Sequence, residues 1–170
     1  MSTLEDAARR VQRGDVSAFR EIVEATSARL VRLSARMMGS VAEAEDVVQD
    51  AYVKAYRAIV AGQFDARSRV ETWLHRIVVN ASVDAKRTRA RAREDAIDSS
   101  RGQEGTAESA VALRELADML ETLPEDQRAA IVLKAEGMSA TEIGAVLGCS
   151  EGAVEQKLVR ARQTLRERRS

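Results

Sequence analysis

The stretch Ser139–Arg162 reads S-A-T-E-I-G-A-V-L-G-C-S-E-G-A-V-E-Q-K-L-V-R-A-R, which is two helical patterns separated by a glycine. Ser139, followed three residues later by Glu142, forms the capping box that begins a helix. Gly148 ends that helix, because glycine tolerates the left-handed conformation found there. Ser150 is the cap of a second helix. The segment is therefore predicted to be a helix-turn-helix, and this motif points to DNA as the ligand.

Each of these two helices has one apolar face. The apolar residues are Ile143, Val146 and Leu147 in the first helix, and Val154, Leu158, Ala161 and Leu165 in the second. This spacing allows the two helices to pack against each other. The alternative is an ordinary helical hairpin with a solvated basic face.

The outward side of the second helix carries two kinds of polar side chain. Gln and Glu are suited to read base edges in the major groove, whereas Arg and Lys are suited to hold phosphates. The residues left facing outward near its start are Glu151, Glu155, Gln156 and Val159. The residues suited to phosphate are Lys157, Arg160, Arg162, Arg166, Arg168 and Arg169.

Composition indicates an all-α protein with two helical domains. The 170 residues are 45% hydrophobic, which is enough for a core in each of two domains, and they include few aromatics and one proline. The turn-rich segment 95–109 has few apolar residues and is predicted to be a flexible linker. It separates a first domain, residues 1–94, from a second domain, residues 110–170. Such a tether would let the two domains close on each other in the free protein. It would also let an inhibitor clamp the two domains.

Charge is informative only locally, because 27 basic and 27 acidic residues cancel. Five positive residues and no negative one lie between Lys86 and Arg93. An acidic patch lies earlier in the chain and consists of Glu43, Glu45, Asp46 and Asp50. The basic run bears on nucleic-acid binding, whereas the polar side of the helix that carries the acidic patch could simply be solvated.

Several functional classes receive no support from the residues. No apolar run approaches the ~20 residues that span a bilayer, and the N-terminus lacks the apolar stretch of a signal peptide, so a cytoplasmic protein without membrane insertion is expected. Cys149 is the only cysteine and His75 the only histidine, which argues against a disulfide and against a cysteine- or histidine-pair metal site. No glycine-rich phosphate loop or nucleophile elbow is present. We expect no enzyme, no catalytic residue, no metal and no cofactor.

The first domain contains three further helical patterns. One follows Gly14-Asp15 and ends near Gly39-Ser40, with Phe19, Ile22, Val23, Leu30, Val31 and Leu33 as its apolar stripe. The next covers Ala44–Ile59, and its polar side consists of Glu45, Asp46, Gln49, Asp50, Lys54 and Arg57. The third extends from about Glu71 to beyond Arg89, buries Trp73, Leu74, Ile77 and Val78, and presents Arg76, Asn80, Asp84, Lys86 and Arg87.

All five aromatic residues lie in this first domain. Rings beside a basic stripe can stack on unpaired bases, but rings on helical faces more often belong to the core. The core interpretation is favoured for Phe19, Tyr52, Tyr56 and Trp73. Phe64 lies in the loop G-Q-F-D-A-R-S-R, and both interpretations stay open for it.

Read in order, these segments resemble an extracytoplasmic-function sigma factor, a small two-domain type of bacterial transcription initiation factor. The resemblance covers nearly the whole chain. Its motifs are G-D-V-S-A-F at 14–19, A-E-D-V-V-Q-D-A-Y at 44–52, and L-P-E-D-Q-R at 123–128, followed by E-G-M-S-A-T-E-I-G and S-E-G-A-V with R-A-R. Phe64, Ser68, Thr72-Trp73-Leu74, Ile77, Asn80 and Asp84 match the spacing of a further family pattern.

The resemblance implies a role for each region. The helix from Ala44 to Arg57 would dock on the clamp helices of the largest subunit of RNA polymerase through Asp46, Gln49, Asp50 and Lys54. The first domain would melt the −10 element of promoter DNA and capture an unpaired base through Phe64, Ser68, Arg76, Asn80, Asp84, Lys86 and Arg87. The second domain would read the −35 duplex through Ser150, Glu151, Glu155, Gln156, Lys157, Arg160 and Arg162. The β flap of polymerase and an anti-sigma factor are the other implied partners.

The recognition helix departs from the family pattern at Glu155, where a basic residue is frequent. Its carboxylate would repel phosphate but can accept a hydrogen bond from a cytosine amine, so the −35 sequence stays open. The main alternative function is a conventional helix-turn-helix regulator with a helical dimerisation or sensing domain, which predicts a palindromic site. A third is a helical adaptor that binds only protein.

Overall fold

The structure is a computed structural model that describes residues 3–96 and 108–169. Within these residues it contains eight helices and no strand, which confirms the all-α prediction. The helices are α1 (Leu4–Gln12), α2 (Ala18–Met38), α3 (Val41–Val60), α4 (Val70–Asp95), α5 (Glu108–Leu120), α6 (Glu125–Ala135), α7 (Ala140–Leu147) and α8 (Glu151–Arg169).

The predicted linker can be located only at its ends. Asp95 is the last residue of α4 and Glu108 is the first residue of α5, so both belong to helices rather than to the connection. Residues 97–107 lie outside the described residues, and the flexible linker therefore stays a prediction.

The first domain is a bundle in which α2 lies at the centre. It packs against α1, α3 and α4, and its side chains Ile22, Leu30 and Leu33 are fully buried, as the apolar stripe predicted. The hydroxyls of Ser34 and Ser82 form a hydrogen bond of 2.9 Å in this core and connect α2 to α4. The long α4 is therefore fixed along part of its length and presents its remaining side chains outward.

Helix α1 was not among the predicted helices, although its signal is present in the sequence. Thr3 and Asp6 form a capping box, and Ala7, Ala8 and Val11 are buried. The carboxylate of Glu5 accepts a hydrogen bond of 3.1 Å from the backbone amide of Val70. Helix α1 thereby supplies an acceptor to the N-terminus of α4, whose own N-cap residue makes no side-chain cap bond.

The aromatic side chains form part of the core of this bundle, which confirms the favoured interpretation. Phe19 lies edge-on to Tyr52 and Tyr56, with ring centroids 6.1 and 5.2 Å apart. The hydroxyl of Tyr52 forms a hydrogen bond of 2.7 Å with the hydroxyl of Thr26. Trp73 packs against the core, and the ring of Phe64 lies 4.9 Å from it, centroid to centroid.

The second domain consists of α5–α8 and contains a buried arginine that sequence analysis did not identify. The guanidinium of Arg128 donates hydrogen bonds to the carbonyl oxygens of Leu120, Glu121 and Leu123, at 2.9, 3.3 and 3.1 Å. Burial lowers the pKa of Arg128, against the charges of Glu121 and Glu125, which raise it. Arg128 satisfies the carbonyl of Leu120, the last residue of α5, and two carbonyls of the turn that follows, and so fixes the angle between α5 and α6.

The two domains pack against each other. Helix α2 contacts α5 and α6, and α4 contacts α7. Gly39 ends α2 with a φ of +77°, and a Cβ atom at this position would lie only 2.8 Å from the Cβ of Ala117 in α5. Glycine is thus required at this position both by the backbone conformation and by the close approach of the second domain.

His75 lies in the first domain and is only 4% exposed. Its Nδ1 donates a hydrogen bond of 2.6 Å to the carbonyl oxygen of Glu71, whereas Nε2 is buried and has no hydrogen-bond partner among the residues described. Burial lowers the pKa of His75 below its ordinary value of 6.5. The hydrogen bond to Glu71 opposes this shift of the pKa, and the charge of Arg29 adds to it. The imidazole is therefore neutral in the folded protein at pH 7.

This burial predicts a loss of stability in mild acid. The unfolded chain accepts a proton on His75 near pH 6.5, whereas the folded protein resists it, so the free energy of unfolding should decrease as the pH falls below about 6.5. Urea unfolding at pH 7.5 and pH 5.5 measures this change. His75→Gln should lose less stability between the two values than the parent chain. An identical pH dependence in the two proteins would contradict the assignment to His75.

Candidate nucleic-acid interface

The helix-turn-helix forms as the sequence predicted. The backbone amide of Ser139 donates to Glu142 at 2.8 Å, and the amide of Glu142 donates to the Ser139 hydroxyl at 3.2 Å. Gly148 ends α7 with a φ of +71°, and the hydroxyl of Ser150 accepts from the amide of Ala153 at 3.2 Å. The apolar residues Ile143, Val146, Val154, Leu158 and Ala161 are buried where α7 meets α8, and Leu147 and Leu165 pack against this core.

Gly144 sets how closely the turn approaches α7. A Cβ atom at this position would lie 2.6 Å from the carbonyl oxygen of Cys149. The turn therefore rests directly on the backbone of α7, and Cys149 packs partly buried against the core of the motif. This contact fixes the angle between α7 and α8.

The recognition face of α8 is open to solvent at most predicted positions. Ser150, Glu151, Glu155, Gln156, Arg160 and Arg162 are all exposed. The carboxylate of Glu151 accepts a hydrogen bond of 3.0 Å from the hydroxyl of Thr141, which holds it at the start of the helix. The predicted base-reading side chains therefore lie together on one accessible surface.

Lys157 is placed differently from the other predicted −35 residues. It is half-buried, and its ammonium group forms a salt bridge with Asp126 at the start of α6. The hydrogen bond from Lys157 lowers the pKa of Asp126, against the opposing effect of burial. Lys157 would have to leave this partner before it could contact phosphate.

The predicted −10 residues of α4 lie close together in the structure. Arg76, Asn80, Asp84 and Arg87 follow each other at steps of three or four residues and are exposed, so they share one face of the helix. With Lys157, they line a cleft of about 630 Å³ between the two domains. Neutral, acidic and basic groups are thus available side by side on this surface.

Phe64 and Ser68 differ from the α4 residues in their surroundings. The ring of Phe64 is only 8% exposed because it packs on Trp73, and Ser68 is half-buried. The prediction that Phe64 contacts an unpaired base requires an accessible ring. In this structure the ring is instead buried against Trp73. The sequence could not decide between a buried and a base-contacting ring, because a phenylalanine in a loop belongs to no helical pattern of apolar residues.

The cations of the −10 set are bound by the second domain, which sequence analysis missed. Arg76 donates to the carbonyl oxygens of Ala145 and, at 3.3 Å, of Val146, at the C-terminus of α7. The ammonium group of Lys86 lies 2.7 Å from the carboxylate of Glu121.

Arg87 makes the most extensive of these contacts. Its guanidinium donates two hydrogen bonds to Glu125, one of them 2.8 Å long from Nε. This hydrogen bonding raises the pKa of Arg87 and lowers that of Glu125. Burial acts to raise the pKa of Glu121, but the hydrogen bond from Lys86 and nearby cations outweigh it, so that this pKa is lowered.

The polar face of α3 carries the predicted polymerase-binding residues. Asp46, Gln49, Asp50 and Lys54 are all exposed, on the side opposite the buried Val48, Ala51, Tyr52 and Ala55. Glu43, which belonged to the predicted acidic patch, is instead paired with Arg89 of α4. The accessible acidic surface of α3 is therefore narrower than the sequence indicated.

Within residues 3–96 and 108–169, no group of three or more His, Cys, Asp or Glu side chains is arranged to hold a metal ion. No helix in the same part of the chain is long and apolar enough to cross a membrane.

The two domains together define a class of protein. Residues 22–92 match sigma-70 region 2, and residues 113–165 match sigma-70 region 4. The chain therefore combines the two modules of a sigma-70 type transcription initiation factor, in the order that the sequence motifs predicted.

Relatives place the chain more narrowly. It is 33% identical to the ECF RNA polymerase sigma factor SigW of Bacillus subtilis, over 94% of this chain and 92% of that protein. It is 35% identical to the ECF RNA polymerase sigma-E factor of Escherichia coli, over 92% and 88% of the two chains. The chain belongs to the family of extracytoplasmic-function (ECF) RNA polymerase sigma factors. The alternative of a conventional helix-turn-helix regulator is not favoured.

Solved structures agree with this family. CnrH, in complex with the cytosolic domain of CnrY, aligns with a TM-score of 0.74 and 31% identity, over 95% of this chain and 93% of CnrH. The sigma factor RpoE of Bartonella quintana, in complex with the anti-sigma factor NepR, aligns with a TM-score of 0.65 and 28% identity, over 89% of this chain and 96% of RpoE.

The close contact at Gly144 gives a test of the helix-turn-helix. Alanine normally stabilises a helix relative to glycine by about 1 kcal/mol, but Gly144→Ala should instead lower the free energy of unfolding by about 1–3 kcal/mol because its methyl group meets the turn. Gly152→Ala is the matched control, since a Cβ there meets nothing within 4 Å. Urea unfolding of both variants measures the effect, and equal stabilisation by the two would rule out the proposed contact.

Proposed function

We propose that this sigma factor divides polymerase binding and promoter recognition among three surfaces, which are the polar face of α3, the exposed face of α4 and the recognition face of α8. The observation that carries the proposal is the face of α4, where Asn80 and Asp84 lie exposed between the cations Arg76 and Arg87. Amide and carboxylate groups can hydrogen-bond a base, while the cations follow the phosphates. Such a mixture suits a separated strand, whose bases and phosphates are both accessible.

The α8 surface would read duplex DNA at the −35 element. The start of the second helix of a helix-turn-helix enters the major groove, and Glu151, Glu155 and Gln156 are accessible there. Arg160 and Arg162 lie further along the helix and are exposed, so they would hold the backbone. Specificity would come from Gln156 and Glu155, and affinity from the arginines.

The α4 surface would hold the −10 element after strand separation. Cations alone give an affinity that depends on salt and not on sequence, so base capture needs hydrogen-bonding groups as well. Asn80 supplies both a donor and an acceptor, and Asp84 supplies an acceptor. Phe64 would act by packing on Trp73 and so supporting the loop that precedes α4.

The α3 surface would bind polymerase, through Asp46, Gln49, Asp50 and Lys54 on the clamp helices of the largest subunit, and the second domain would contact the β flap. The family resemblance supports these partners, and the exposure of the four side chains leaves them accessible. The relatives that were solved as complexes with CnrY and NepR support a further partner, an anti-sigma factor. The chain would act in the cytoplasm with no catalytic site, cofactor or metal of its own.

The α3 surface is tested by charge reversal. Asp46→Lys combined with Asp50→Lys should weaken binding to core polymerase by about tenfold or more at low salt, because attraction across the interface becomes repulsion. The difference from the parent chain should narrow as salt is added. Affinity measured by fluorescence anisotropy gives the result, and Glu24→Lys on the exposed side of α2 is the control. Unchanged affinity of the double variant would place the polymerase contact elsewhere.

The α8 surface is tested by comparing two substitutions. Gln156→Ala should change the order of preference among −35 sequences. The binding free energy for the preferred base at the contacted position should weaken by about 1–3 kcal/mol. Arg162→Ala should weaken binding to all sequences by a similar factor, because phosphate contacts carry no sequence information. Transcription from a panel of −35 variants separates the two patterns. If both variants respond to the panel in the same way, Gln156 does not read a base.

The α4 surface is tested with closed and pre-melted promoters. Asn80→Ala should reduce transcription from a duplex promoter more than from a template with a preformed bubble. In the bubble template the bases are already unpaired, so the unstacking free energy of a few kcal/mol is not required. Permanganate reactivity of unpaired thymines reports opening directly. The exposed Glu115→Ala in the second domain is the control. Equal losses on both templates would mean that Asn80 binds DNA without taking part in opening.

A further inference from the structure

One part of the interface between the two domains is made by residues that the proposed function assigns to DNA. Arg76, Lys86 and Arg87 all belong to the predicted −10 set, and each is bound by a group of the second domain. Their partners are backbone carbonyls at the end of α7 and the carboxylates of Glu121 and Glu125. We call these two carboxylates the acidic edge.

The acidic edge resembles a nucleic-acid backbone in its chemistry. A carboxylate presents two oxygens to a guanidinium in the same forked geometry as a phosphate does. Glu125 accepts hydrogen bonds from Arg87 on both of its carboxylate oxygens in this geometry. A phosphate and Glu125 cannot use the same guanidinium fork at once, so contact between the domains and contact with DNA exclude each other at Arg87.

A second ionic contact holds the domains together away from the DNA surface. The side chain of Glu136, at the end of α6, is only 2% exposed. Its carboxylate accepts hydrogen bonds from Arg32, at 3.0 Å, and from Arg36, both on α2. A buried carboxylate is costly unless it is paired, and Glu136 receives both of these pairings from the other domain. We call Glu136, Arg32 and Arg36 the latch.

The contact between the domains covers only one of the three proposed surfaces. The α3 residues Asp46 and Asp50 are exposed, and so are Gln156 and Arg162 on α8. Only the α4 surface faces the acidic edge, and Lys157 is the one predicted −35 residue that lines the cleft as well. The closed arrangement therefore leaves the proposed polymerase-binding and −35 surfaces accessible.

We propose that the acidic edge is an intramolecular competitor for the −10 surface, and that the latch holds it in place until the chain binds polymerase. In the free chain the acidic edge occupies the cations that a separated strand would use. Polymerase can dock through the exposed face of α3 while the domains are still closed, and opening then releases α4. The proposal rests on the assignment of α4 to single-stranded DNA.

The latch allows the two uses of α4 to be separated, because its residues are not among the predicted DNA contacts. Glu136→Gln removes the charge that pairs with Arg32 and Arg36 and hardly changes the size of the side chain. Glu115→Gln, at an exposed position of α5, is the matched control with the same change of net charge. Ala117→Leu is an independent variant that adds bulk where α5 meets Gly39 without any change of charge.

The full-length variants are compared with the parent chain by two measurements. Small-angle scattering gives the radius of gyration, which is about 16 Å for a compact protein of this length. Fluorescence anisotropy gives the affinity for an oligothymidylate of about twelve nucleotides, over a range of salt concentrations. This probe reports access to the phosphate-binding cations and requires no knowledge of the promoter.

Glu136→Gln and Ala117→Leu should both expand the chain and bind the oligonucleotide about three- to tenfold more tightly than the parent chain. The release of three cations should steepen the logarithmic salt dependence by about two, at ~0.7 for each phosphate contact on a single strand. Glu115→Gln should match the parent chain in all three quantities. A parent-like radius, affinity and salt dependence in both opening variants would overturn the proposal. Expansion with no gain in affinity would overturn the competition in particular.

A further variant distinguishes failure of this proposal from failure of the proposed function. Glu136→Gln is combined with Lys86→Ala and Arg87→Ala, and the gain in affinity should disappear while the expanded radius remains. If the gain persists in the combined variant, the strand binds elsewhere and the −10 assignment of α4 is wrong, even though the latch still controls closure. A gain that is lost supports both the latch and the assignment.

Discussion

The pairing of basic side chains on α4 with carboxylates of the second domain is the interaction on which the arrangement of this protein depends. Three cations suited to phosphate lie on one helix, and in the absence of DNA their charge is met by Glu121, Glu125 and backbone carbonyls of α7. Charged groups lose part of their hydration when two surfaces meet, and these partners compensate the cations where the domains pack. The buried Glu136 between Arg32 and Arg36 follows the same rule.

Each domain has its own means of holding its functional surface in shape. In the second domain, Gly144 and the capping box at Ser139 set the geometry of α7 and α8, and Arg128 ties α6 to the end of α5. In the first domain, the core along α2 fixes the base of α4, and Glu5 of α1 accepts from its first amide. The α4 and α8 surfaces are therefore each held in shape by their own domain. What can still change is the position of one domain relative to the other.

The parts of the structure that sequence could predict are those set by local chemistry. The caps at Ser139 and Gly148 and the helical apolar spacing act over a few residues, so the helix-turn-helix and the three first-domain helices could be read directly. Helix α1 carried the same kind of signal in its Thr3 capping box and was overlooked. The ion pairs between domains could not be predicted, because Arg87 and Glu125 are 38 residues apart and Arg36 and Glu136 are 100 apart. The burial of Phe64 likewise depends on Trp73 and not on any local pattern.

Competition between domain contact and DNA binding is tested most directly by measuring the distance between the domains during initiation. Donor and acceptor dyes can be placed at Glu24→Cys on α2 and Glu167→Cys on α8, both exposed positions, in a Cys149→Ser background. Energy transfer should be high in the free chain and should fall in the complex with polymerase in which the −10 strands have separated. Unchanged transfer in a complex whose unpaired thymines react with permanganate would show that α4 binds DNA without leaving the acidic edge, and would contradict the competition.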